Sequence, residues 1–197
     1  MNRSTKRLRR IGILVAALSL GFTIMPVTSA SAQTWDCNGS SQYSSYNWSK
    51  PWAGSNWDQS NGWCGGHSGV DWDKINSGET TYDIYSAPYG KVIKVVKGAD
   101  ADPCYGNYVV IEDQIDSDNT IVYAHLSVVS VTLNQIVYNG EKIGKSGATG
   151  DCADFVHLHV SMTTDFTGWY TAAPNNTHMY NPRTFLGNHG ITWGGME

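Results

Sequence analysis

The chain has 197 residues, of which 41% are hydrophobic and 15% charged, and seventeen acidic residues outnumber thirteen lysines and arginines. This length allows one domain with a core of its own, and the formal net charge of −4 argues against nucleic acid as a partner. The four cysteines allow at most two disulfides.

Residues 1–32 read as an export signal. Arg3, Lys6, Arg7, Arg9 and Arg10 precede an apolar run over 11–27, and Ala30-Ser31-Ala32 offers a small-residue cleavage site. Arg9-Arg10 sits in a poor twin-arginine context, so the general secretory route is expected. The run is short for a membrane span. The expected product starts near Gln33, is secreted or associated with the cell wall, and keeps no stable membrane insertion. Its eight remaining basic residues face seventeen acidic ones, which makes nucleic acid a poorer partner still.

Residues 33–62 are rich in Ser, Asn, Gly and aromatics, without sustained periodicity, and read as an irregular arm. Its Trp and Tyr rings suit either a small core of their own or stacking on a ligand. From residue 63 to 197 a second region is expected to fold as one domain. Short β-branched runs punctuated by Gly, Pro and Asn predict strands over 81–85, 91–97, 108–112, 120–124, 135–138, 142–145 and 155–162. No segment has the periodicity of an amphipathic helix, so the expected fold is all-β with an antiparallel sheet. The tail from Thr163 reads as a wrapping segment that ends on the sheet. In an oxidising compartment the cysteines are expected to pair as Cys37 with Cys64 and Cys104 with Cys152.

Four of the six histidines fall in three separated strings: His67 with Asp71 in GGHSGVDW, His125 in VYAHL, and His157 with His159 in VHLHV. A catalytic zinc takes about three nitrogen or carboxylate ligands and keeps a further position for water, so this set supplies a shell with imidazoles to spare. Residues i and i+2 of a strand share a face about 6.6 Å apart, so His157 and His159 point the same way, and spacing does not choose between them as ligand. Four residues of straight strand span about 13 Å, so His67 and Asp71 can share an ion only if the chain bends. Gly65, Gly66 and Gly69 allow that bend, and Gly69 has no side chain to obstruct a metal. His178 and His189 are expected at the surface. A hydrolase is the expected class.

The stretch from Asn61 to Leu186 resembles the lysostaphin and LytM type of zinc metalloendopeptidase, through the strings HSGVD, YAH and HLH in that order. The connecting segments SAPYGKVIKVV, YGNYVVIED, NGEKIGKSGATG and YNPRTFL resemble it too. The resemblance implies an antiparallel catalytic domain of the duplicated-hybrid-motif kind. It implies one Zn²⁺ per chain held by His67, Asp71 and His159, with His125 and His157 flanking the attacking water and the scissile carbonyl. It implies a monomer acting on cross-bridge or stem peptides of bacterial peptidoglycan, often at glycine.

Three departures stand out. The loop over 149–157 is one residue longer than usual and carries Cys152. Phe155-Val156 replaces a Gly-Pro or Ala-Pro pair. A tyrosine common shortly before the first ligand is missing, with Asn61 or Trp63 near its place. Two alternatives to wall hydrolysis are a non-catalytic wall-binding or amidase-activating module and a broader secreted protease acting on glycine-rich proteins.

Overall fold

The computed structural model describes residues 48–52, 57–62, 67–74, 80–116, 119–164 and 179–188. The chain divides into two units, Met1–Ala32 and Gln33–Glu197, and every described residue belongs to the second. Among the described residues no helix is long and apolar enough to cross a membrane.

Antiparallel strands build the domain. They are β1 (Trp57–Asn61), β2 (Val70–Lys74), β3 (Asp83–Tyr85), β4 (Gly90–Val96), β5 (Tyr108–Asp113), β6 (Thr120–Ala124), β7 (Val128–Val129), β8 (Ile136–Val137), β9 (Lys142–Lys145), β10 (Leu158–Thr163) and β11 (Met179–Tyr180). The larger sheet runs β1-β2-β10-β6-β5-β4-β8, and β3-β9-β7 form a second. One edge of β10 lies along β6; the other is shared in tandem, its first half with β2 and its last two residues with β11.

Alternation along β10 explains its place at the centre. Leu158, Val160 and Met162 point to one face, where they lie opposite Trp72, Val70, Tyr123 and Ile121 on neighbouring strands, all buried. Each such side chain gains about 1.5–3 kcal/mol on full burial, which fixes the register of the sheet. A slip of one residue would turn that row outward. His159 and Ser161 then necessarily point to the other face.

Two expectations need correction. The arm is not irregular to its end, because residues 57–61 form the edge strand β1 against β2. Residues 48–52 also join the main body: Trp52 bridges to Ile84, Trp48 packs edge-on against Phe185 at 4.7 Å, and Trp52 lies 4.9 Å from Trp72. These tryptophans extend the domain's own core rather than forming a separate one. The second correction is a short helix, α1 (Pro182–Asn188), which the sequence pattern did not predict. Pro182 opens it, a position where its missing N–H costs nothing, and Asn181 Oδ1 accepts the Arg183 N–H at 2.9 Å. With only two turns, it buries Phe185 and Leu186 without building a periodic stripe.

The tail does end on the sheet, as β11 against β10. The Cys104–Cys152 disulfide is present. The pairing expected for Cys37 and Cys64, and the positions of His178 and His189, lie outside the described residues.

Candidate metal centre

Strand register brings the first pair together. His159 on β10 is the direct partner of Asp71 on β2 and of Ala124 on β6, so imidazole and carboxylate project side by side from one face, next to a residue too small to crowd them. His125 follows Ala124 immediately, and its backbone N–H donates to the Tyr105 carbonyl at 3.0 Å. It adopts φ +58°, a left-handed conformation rarely seen outside glycine and costing about 1–3 kcal/mol, of the kind that accumulates at functional sites. His157 lies just before β10, bridged to Gly147.

His67 arrives from outside the strand. β2 starts at Val70, and the chain before it turns back so that His67 Nε2 lies 3.2 Å from Asp71 Oδ1. The bend is possible because Gly69 has no side chain: a Cβ there would collide with the Val160 carbonyl and stand 2.6 Å from the His159 ring.

Three atoms meet. His67 Nε2 is 3.1 Å from His159 Nδ1, and Asp71 Oδ1 lies 2.7 Å from that same nitrogen. Donors about 2.05 Å from a tetrahedral ion sit about 3.3 Å apart, so this triangle has nearly the dimensions of one face of a zinc site. The outward hydrogen bonds complete the match. His67 Nδ1 donates to the Gly62 carbonyl at 3.0 Å, and His159 Nε2 lies 2.7 Å from Ser161 Oγ. Rings anchored through one nitrogen offer the other as a lone pair, the usual second layer around a metal. The residues present therefore fit a divalent cation.

Protons and a cation compete for this triangle. Burial opposes ionisation of Asp71, but hydrogen bonds to His159 and His67 outweigh it and hold the carboxyl well below the usual range. Burial disfavours a charged His67, yet its hydrogen bond to Asp71 raises its pKa. Burial lowers that of His159, against the pull of Asp71. His125 is pushed down to about 4, by burial first and then by His159.

The remaining two histidines face inward in the same way. His125 Nδ1 donates to the Thr149 carbonyl at 2.9 Å, and His157 Nδ1 to the Phe155 carbonyl at 2.8 Å, leaving both Nε2 atoms as acceptors. His157 Nε2 is buried with no hydrogen-bond partner, 3.6 Å from Asp71 Oδ1. Their rings are 4.7 Å apart. All five residues singled out in the sequence thus lie together, around a groove of about 220 Å³ whose walls also include Ser68, Tyr105 and the Cys104–Cys152 bridge. His157 itself sits beneath the groove wall.

Sequence reasoning missed Tyr105 and Ser68, whose hydroxyls are 2.8 Å apart. The Tyr105 ring stacks at 6.2 Å on His125 and meets His159 edge-on at 5.3 Å. A signal was available in CYGNY, where an aromatic residue stands between a cysteine and a glycine. Gly106 has φ +61°, and a Cβ on it would run into Thr149, so this loop locks against the one carrying Cys152.

An antiparallel β domain that turns two imidazoles and a carboxylate onto one point, with two more imidazoles beside it, has the make-up of a metal-dependent hydrolase. The model of peptidase family M23 matches residues 65–177, more than half of the chain. The chain belongs to that family.

Over 79 residues, 40% of the chain, it is 42% identical to the peptidoglycan DD-endopeptidase ShyB of Vibrio cholerae serotype O1, and spans 17% of that relative's length. A zinc-containing peptidase from Vibrio cholerae aligns with TM-score 0.50 and 28% identity, over 59% of this chain and 36% of the other. Lysostaphin, the antimicrobial peptidase of Staphylococcus simulans, aligns with TM-score 0.56 over 75% of this chain and 58% of its own, and at 23% identity the likeness is one of fold.

Proposed function

We propose that the chain is an exported zinc-dependent endopeptidase that cleaves peptide bonds in bacterial peptidoglycan. Residues 1–32 are the export signal, residues 63–197 the catalytic domain, and the mature monomer acts at the cell wall. The observation that carries the reading is the convergence of His67 Nε2, Asp71 Oδ1 and His159 Nδ1 beside an open groove. ShyB, a peptidoglycan endopeptidase by name, supplies the substrate class.

Zn²⁺ held by these three residues supplies Lewis acidity, polarising the scissile carbonyl and making water acidic enough to deprotonate near neutral pH. His157, with an unprotonated Nε2, takes the proton of the attacking water. His125 begins as a neutral ring and can protonate the leaving nitrogen only after gaining a proton itself. The groove is smaller than the 300–1,000 Å³ or so of a typical small-molecule pocket, which favours a peptide poor in side chains, such as one with glycine at the cleaved bond.

Digestion of purified walls, read by mass spectrometry of the fragments, tests substrate and bond together. Asp71→Ala is expected to lose zinc. His157→Ala is expected to keep it while turnover falls about 10²–10⁴-fold, the usual worth of an acid or base. Intact walls at full zinc occupancy, or normal turnover in either variant, would overturn the reading.

A further inference from the structure

The groove is almost entirely a wall of acceptors. Each of the four histidines directs one ring nitrogen at a protein group: the Gly62, Thr149 and Phe155 carbonyls and the Ser161 hydroxyl. A neutral imidazole has a single N–H, so a ring anchored in this way meets the groove with a lone pair. Asp71 adds a carboxylate. Peptide hydrolysis, however, develops negative charge on the carbonyl oxygen, and a preorganised donor aimed at that charge is among the larger contributions an enzyme makes.

Hydroxyl donors occur at one place among the described groove residues, the Ser68–Tyr105 pair, whose oxygens are 2.8 Å apart. Ser68 follows the ligand His67 directly, and the Tyr105 ring bridges the other two groups, stacked on His125 and edge-on to His159. A phenol can accept one hydrogen bond while donating another, so Ser68 as donor leaves the Tyr105 O–H to a substrate oxygen. The backbone around Tyr105 is held firmly. Its N–H donates to Asp102 Oδ1 at 2.8 Å, its carbonyl accepts from the His125 N–H, and Cys104 before it is bonded to Cys152.

We propose that Tyr105 is a further catalytic residue, its phenol O–H donating to the carbonyl oxygen of the scissile bond as that oxygen gains charge. Ser68 is a positioning residue that sets the direction of the phenol. The inference rests on the peptidase reading, and concerns a donor that neither the ligand triangle nor the two flanking histidines provides.

Tyr105→Phe keeps the ring and its stacking and deletes one oxygen. Loss of a single oxyanion donor lowers kcat about 10²–10³-fold, so a fall of that order is expected with KM changed less than about twofold. Binding of a phosphinic peptide, whose tetrahedral oxygens imitate the charged carbonyl, is expected to weaken by a similar factor. Zinc content and melting temperature are expected to stay at wild-type values.

Unchanged kcat, or a raised KM with kcat intact, would overturn the proposal. Ser68→Ala is the second variant, expected to lower kcat less than Tyr105→Phe does. An equal or larger loss would move the role to Ser68 and overturn the assignment to Tyr105. A wild-type protein inactive on every wall preparation would instead sink the peptidase reading, so the two failures are distinguishable.

Discussion

Single atoms decide whether this site can hold a metal. Gly69 is the clearest case, since its missing Cβ is what lets the His159 ring and the Val160 carbonyl close over the turn from His67 to Asp71. Gly69→Ala is expected to destabilise the fold by about 1–3 kcal/mol through overpacking. It is also expected to weaken zinc about 10–100-fold, as displaced supporting groups do. Thermal unfolding alongside competition with a chelator measures both; wild-type values in each would show that the turn has slack. The five candidate residues were legible one by one, through residue type and spacing. What the sequence could not supply was the role of each nitrogen, because that depends on carbonyls at Gly62, Thr149 and Phe155, and a carbonyl has no letter of its own.

At the level of elements, β10 organises the site, since its pairing with β2 and β6 makes His159 the neighbour of both Asp71 and Ala124. Seven predicted strands have counterparts at β3, β4, β5, β6, β8, β9 and β10, where β-branched runs end at clear turn residues. β1 and β2 escaped notice for a physical reason. Val70–Lys74 carries two aspartates and one tryptophan in five residues, and β1 reads WDQSN, so pairing there comes from neighbours rather than from local preference. α1 was hidden by its brevity, although Asn181-Pro182 is a legible helix start.

The loops that hold Tyr105 and Thr149 are tied by Cys104–Cys152, with a sequence separation of 48 residues. In the chain-entropy model this closure contributes roughly 4 kcal/mol. Replacing both cysteines by serine is expected to lower unfolding stability by up to that amount and to reduce turnover at fixed zinc occupancy, because the Thr149 carbonyl orients His125. Denaturant unfolding and wall digestion report the two effects. An unchanged midpoint and rate would mean that the packing of Gly106 on Thr149 suffices alone.

For the whole molecule, composition and length set a single acidic β domain, and a core of aromatic and β-branched side chains holds the larger sheet rigid beneath the groove. A site built on strands is positioned more tightly than one built on loops, and here the ligand pair Asp71 and His159 belongs to strands while the groove walls belong to loops. That division suits a family in which fold and ligands stay while the walls select the peptide.

The central claim is that one zinc ion binds His67, Asp71 and His159. A crystal of the zinc-loaded protein with anomalous data collected on both sides of the zinc edge tests it directly. One peak is expected, about 2.0–2.2 Å from His67 Nε2, Asp71 Oδ1 and His159 Nδ1. A zinc-loaded crystal with no peak there, or with its peak on other residues, would contradict the account.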